Sequence, residues 1–146
     1  MLRVCAIGLC LFFVTKNGMA QQLPTDLVGT WLVEKKDGRV EIYRQGDKYY
    51  GKIVWLKEPY EKDGTLKRDI NNPQVNLRSM TILGSIIVKD MKWNGKGKWD
   101  DGTVYDPDNG KTYSGFIKMN NKNSIELTGY IGFSFIGRSE TWTRVN

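Results

Sequence analysis

Histidine is absent from the 146 residues, and both cysteines, Cys5 and Cys10, fall within the first ten. These two scarcities remove whole classes of chemistry. Ser-His-Asp and Cys-His catalysis, zinc sites of ordinary composition, a redox cysteine pair and haem ligation by histidine or thiolate all need side chains that the body of the chain lacks. An enzyme built from it would work with carboxylates, Lys, Tyr, Ser or Thr, so no metal, cofactor or catalytic residue is expected. Also missing are an internal repeat, a low-complexity tract and, downstream of Gln22, any helical period longer than about two turns.

What stands at the start is a short leader. Arg3 supplies a positive charge, Val4 to Val14 form an uncharged apolar stretch, and Gly18 and Ala20 place small residues where a signal peptidase needs them. The stretch falls well short of the roughly 20 residues that span a bilayer. Residues 1–20 are therefore expected to be a cleaved signal peptide, and residues 21–146 a single exported domain, periplasmic or extracellular and not membrane-spanning. Leu9, before Cys10, is too large for a lipoprotein cleavage site. The cysteines leave with the leader, so packing and not disulfides must hold the rest. Arg3 and Lys16 leave too, reducing the 22 basic residues to 20 against 16 acidic. This mild positive excess gives weak affinity for anionic surfaces. It is scattered and not striped, so nucleic acid is not an expected partner.

The remainder reads as strands. Thr30 to Lys35 ends at Asp37-Gly38; Val40 to Arg44 alternates cleanly and stops at Gln45-Gly46-Asp47; Lys48 to Leu56 is rich in aromatic and β-branched residues. A long polar loop, about residues 57–79, follows, with one helical turn expected around Gln74 to Arg78 behind Pro73. Pairing resumes over Met80 to Met91 with a bend at Gly84, then over Lys98 to Tyr105, Thr112 to Met119, Ser124 to Ile131 and Gly137 to Val145. A short corner is expected at Gly132 to Ile136. The spacing predicts an all-β, up-and-down antiparallel barrel of about eight strands, which can be filled by side chains or can hold one small ligand.

Several groups could carry chemistry. Asp101 and Asp106, among the Asp100-Asp101 and Asp106/Asp108 pairs, are raw material for a carboxylate hydrolase, but turn carboxylates also bond their own backbone. Lys92 to Trp99 interleaves lysines and tryptophans, as single-strand binders do; in an exported chain a hairpin tip with solvated lysines and two packed tryptophans is the expected reading. On the last strand Arg138, Glu140, Trp142 and Arg144 share one face. If that face points inward, Arg138 either pairs with Glu140 or Glu41 or anchors an anionic ligand head. Trp31 and Arg144 are expected to meet across the closed end, guanidinium on indole, with Trp142 near them.

Several motifs resemble one family. They are Gly29-Thr30-Trp31, Tyr50-Gly51-Lys52-Ile53-Val54-Trp55, Asp69 with Asn72-Pro73, Leu77-Arg78, Trp99-x-x-Gly102-x-x-Tyr105-Asp106-Pro107, Gly110-Lys111-Thr112-Tyr113, Gly129-Tyr130 and Gly137 to Arg144. Together they resemble the secreted bacterial proteins grouped as domain of unknown function 2147, over about Leu27 to Val145. The resemblance implies a lipocalin-like barrel and an exported bacterial protein, with no activity attached. A looser likeness, through Gly29-x-Trp31 and Arg144, runs to lipocalins and avidins generally. The functional expectation is a monomer that binds a small, partly apolar or anionic ligand. Its expected polar contacts are Arg78, Tyr113, Arg138, Glu140, Asp69 and Asn72, its closure is Trp31, Trp142 and Arg144, and Trp31, Trp55 and Trp142 serve as walls or closure. The alternatives are a solid barrel acting as an envelope interaction module and the carboxylate hydrolase. For Asp69, Asn72 and Arg78, lid contacts to a ligand and bracing of the loop remain equal readings.

Overall fold

The computed structural model describes residues 21–132 and 137–146. The proposed leader and most of the Gly132 to Ile136 corner lie outside them.

Eight antiparallel strands, each paired with its sequence neighbours, close into one barrel. They are β1 (Gly29–Leu32), β2 (Gly38–Gln45), β3 (Lys48–Leu56), β4 (Ile86–Trp93), β5 (Lys98–Asp106), β6 (Lys111–Asn121), β7 (Ser124–Tyr130) and β8 (Arg138–Arg144). Closure comes from β1 meeting β8, with Trp31 opposite Arg144 and Leu32 opposite Thr143. Alternation drives the pattern. In β2, Val40 and Ile42 are buried while Glu41 between them is exposed, and β7 buries Ile125 and Leu127 in the same way. These inward residues, with Tyr49, Val88, Met91, Trp99 and Ile117, form the core.

One end of the barrel is plugged. A short 3-10 helix, Pro24–Leu27, crosses it, and Leu27 is fully buried beneath. Trp31, also fully buried, donates its indole N–H to the Leu27 carbonyl at 3.0 Å. The Arg144 guanidinium lies 4.2 Å over the Trp31 ring and donates to the carbonyls of Lys122, Val28 and Asp26 at 2.7, 3.0 and 2.5 Å. Gly29 explains its own place before Trp31. A Cβ there would sit 2.4 Å from the guanidinium, and its φ of +144° disfavours a side chain anyway.

The other end carries the long connection between β3 and β4. It spans residues 57–85, not 57–79, because pairing starts at Ile86 and not at Met80. Ile82 and Leu83 pack on the core from this loop, and the Ile82 N–H bonds Lys67 within the loop itself, not a barrel strand. The expected helical turn is a 3-10 helix at Val75–Leu77.

Candidate functional site

A cavity of about 650 Å³ opens at the unplugged end, within the range of small-molecule sites. Its inner wall is apolar: Val40 on β2, Ile53 on β3, Ile87 on β4, Val104 on β5, Leu127 on β7 and Trp142 on β8. Its rim is charged, with Lys35, Arg39, Lys57, Lys67 and Arg138 set against Asp37, Glu58, Asp106, Asp108 and Glu140. The two signs balance, so the rim offers polar partners without selecting an anion by net charge.

The β8 face organises one wall. Arg138, Glu140 and Trp142 all line the cavity, while Ser139 and Thr141 are exposed on the other face. Glu140 joins its neighbours: Oε1 lies 3.4 Å from the Arg138 guanidinium, and Oε2 accepts the Trp142 indole N–H at 3.3 Å. The side chains thus run from an apolar floor to an exposed cation. Arg138 is 70% exposed. Its charge is solvated at the mouth and not sunk in the barrel, so the pair costs little to keep and contributes little to stability.

Tyr113 also lines the rim and accepts from Asn109 Nδ2 at 2.9 Å. Asp69, Asn72 and Arg78 sit elsewhere, beside the mouth inside the long loop, and are not among the lining residues. Asp69 and Asn72 are nearly buried. Asp69 accepts from Asn72 Nδ2 at 2.7 Å and from the Tyr105 hydroxyl at 2.6 Å, and Arg78 Nε donates to the Asn72 carbonyl at 2.7 Å. These contacts tie the loop to β5. Burial, then the bond to the Asp69 carboxylate, pushes the Tyr105 hydroxyl far above its ordinary value of 10.0. Tyr105 lines the cavity and was not singled out as a site residue; its signal was the Tyr105-Asp106-Pro107 motif.

The loop is fastened at a second point. Asn71 Nδ2 donates to the carbonyls of Pro107 and Asp108 at 3.1 and 3.0 Å, on the β5–β6 turn. That turn is built as expected: the Gly110 N–H returns to Asp106 O at 2.8 Å, and Asp106 Oδ1 accepts the Asp108 N–H at 2.9 Å.

Of the tryptophans, Trp142 alone lines the cavity and does not join the plug, which Trp31 forms at the far end. Trp55 is exposed on the barrel surface, with the Arg39 guanidinium 4.8 Å from its ring. Trp93 and Trp99 pack at 4.6 Å beside the β4–β5 hairpin, whose lysines are solvent-facing apart from Lys98, held 4.0 Å over Phe116. Asp101 is exposed and outside the cavity lining, and Asp106 is spent on its turn, so the two do not converge on one substrate position. A separate polar cluster joins Lys48 and Tyr50 to Asp90 at 3.1 and 3.0 Å across β3 and β4. These hydrogen bonds hold the Asp90 carboxyl below the usual range.

Comparison with known proteins agrees with this geometry. A solved structure from the human pathogen Helicobacter pylori, described as a protein that belongs to the lipocalin family, superposes with a TM-score of 0.71 at 26% identity, covering 82% of this chain and 83% of that one. No curated protein matches the chain. The profile of a bacterial family described as "Uncharacterized protein conserved in bacteria" matches residues 29–144, from the glycine beside the plug to its arginine. The chain therefore belongs to that family, domain of unknown function 2147, and its barrel is lipocalin-like.

Proposed function

We propose that this protein is exported and carries a small, partly apolar molecule in the open half of its barrel. The observation that carries the reading is the cavity of about 650 Å³, apolar within and charged at its rim. A ligand's hydrocarbon part would lie against Val40, Ile53, Ile87, Leu127 and Trp142, while its polar end would meet Arg138, Glu140 and Tyr113. Such an arrangement places the apolar contacts where water is excluded and the orienting contacts where it is not. Export rests on the leader at residues 1–20, and a monomer on the closed sheet, which leaves no edge strand among the described residues to offer another copy. The solid-barrel interaction module is less well supported, because the interior is not filled.

A dansylated fatty acid tests the reading. Trp142 on the cavity wall should transfer excitation to the bound probe, at one probe per chain. Leu127→Trp fills the cavity from within and should weaken probe binding at least tenfold while the circular dichroism spectrum keeps its barrel signature. Equal binding by that variant would place the probe outside the barrel and end the proposal. Native mass spectrometry of protein from its own host would then identify the natural cargo.

A further inference from the structure

Exposed apolar side chains are distributed unevenly over this molecule. Among the described residues, every large exposed hydrophobic except Leu23 and Val28 lies toward the open end of the barrel. The most exposed are in the long loop: Val75 at 72%, Ile70 at 67% and Met80 at 59%. Their placement is fixed by the backbone. An isolated bridge between Arg68 and Thr81 closes the neck of the loop, and the Asp69 N–H bonds the Met80 carbonyl at 2.9 Å. Residues 69–80 thus form a compact excursion, held to the barrel by Tyr105 and Asn71. Its apolar side chains are displayed on a braced support.

The loop's own charges are mostly basic, although the exposed Asp108 stands on the turn to which Asn71 is bonded. From Gly64 to Ser85 the chain contains Lys67, Arg68 and Arg78 and a single carboxylate, Asp69. That carboxylate is only 6% exposed and is occupied by Asn72 and Tyr105. Arg68 and Arg78 are exposed, and each spends donors on nearby carbonyls (Ser79 and Asn72) while keeping its positive charge. The outer surface of the excursion is therefore apolar and basic, with no exposed acid.

We propose that residues 69–80 dock the barrel on an anionic lipid surface. The apolar side chains enter the interface and the arginines meet the headgroups, the two attractions that hold peripheral proteins on membranes. A braced loop loses little conformational freedom on docking. Because the same loop contributes Lys67 and Ile82 to the cavity rim, docking would set the mouth against the bilayer. The proposal does not depend on what the cavity holds. Both could fail separately.

Vesicle co-sedimentation decides it. The protein should be recovered after export, with its mass checked, so that no attached leader supplies the binding. Vesicles of phosphatidylcholine and phosphatidylglycerol in equal parts should bind it about tenfold more tightly than phosphatidylcholine alone. Val75→Glu places a charge at the most exposed apolar position, where it disturbs no packing. It should lose about tenfold of that binding, with an unchanged melting temperature and unchanged uptake of the dansylated probe when assayed without vesicles. No binding to either vesicle, equal binding to both, or wild-type binding by Val75→Glu would overturn the proposal. Loss of probe uptake by Leu127→Trp with vesicle binding intact would leave it standing.

Discussion

Tyr105 is the residue on which the cavity and the loop meet. Its ring lines the cavity and its hydroxyl donates to a nearly buried carboxylate 36 positions earlier in the chain. Tyr105→Phe leaves Asp69 with Asn72 as its remaining side-chain partner and should cost about 1–3 kcal/mol, since an under-satisfied buried acceptor loses more than the bond itself. The alkaline limb gives a second readout. A hydroxyl whose pKa is raised in the folded state contributes stability that is fully present below the unfolded value of 10.0. It is lost as pH climbs from there toward the folded value, because the unfolded chain releases its proton first. Urea denaturation between pH 9 and pH 11 should show wild-type stability falling, and a shallower fall in Tyr105→Phe. Parallel slopes would mean that the hydroxyl is not held as described. In the sequence, Tyr105 and Asp69 each sat in a resembling motif, but nothing in either motif pointed at the other. Pairing across such a separation is a property of the closed barrel, not of local pattern.

Strand boundaries were legible in part: β1, expected over Thr30 to Lys35, ends at Leu32, and Gly38, expected in the turn, opens β2. β3 runs from Lys48 to Leu56 as expected because Gly46 and the polar Glu58-Pro59 bound an unbroken β-rich run. The start of β4 was not legible. Met80, Ile82 and Leu83 carry the apolar spacing of a strand, yet Ile82 and Leu83 use it to seat the loop on the core. Period alone does not separate a strand from a loop that packs like one. Gly110 tests how that loop is fastened. It has a φ of +71°, and a Cβ there would come within 1.9 Å of the Asn71 carbonyl oxygen. Gly110→Ala meets both left-handed strain and a backbone collision, so the β5–β6 turn and the loop can no longer touch. A cost of about 1–3 kcal/mol is expected. Amide exchange should accelerate across residues 69–80 and stay slow in β2, β6 and β7. Uniform acceleration would show that the loop is not a separable unit. Of the candidate ligand contacts, Arg138, Glu140 and Tyr113 reach the cavity through strand alternation, which sequence shows. Asp69, Asn72 and Arg78 lie in a loop, whose path sequence does not.

Closure of the whole barrel falls on its shortest seam. β1 and β8 pair only through Trp31 with Arg144 and Leu32 with Thr143, whereas β6 and β7 stay in register from Ser114 to Met119. Side chains make up the difference. Arg144 stacks on Trp31 and bonds three carbonyls drawn from the β6–β7 turn and the plug, so one guanidinium holds both chain ends and a distant hairpin together. Trp31→Ala removes a fully buried indole and should cost about 3–5 kcal/mol. Arg144→Ala should cost about 2–3 kcal/mol, from carbonyl bonds and stacking at a partly exposed site. The two losses should not add. If the stacking is real, the double variant is less destabilised than the sum by about 0.5–2 kcal/mol, a coupling that chemical denaturation resolves. Strict additivity would mean that the two side chains stabilise the plug independently. In that case β1 and β8 would be held by their ladder and the Leu27 cap, and the tryptophan and arginine at the two ends of the family match would owe their places to separate causes.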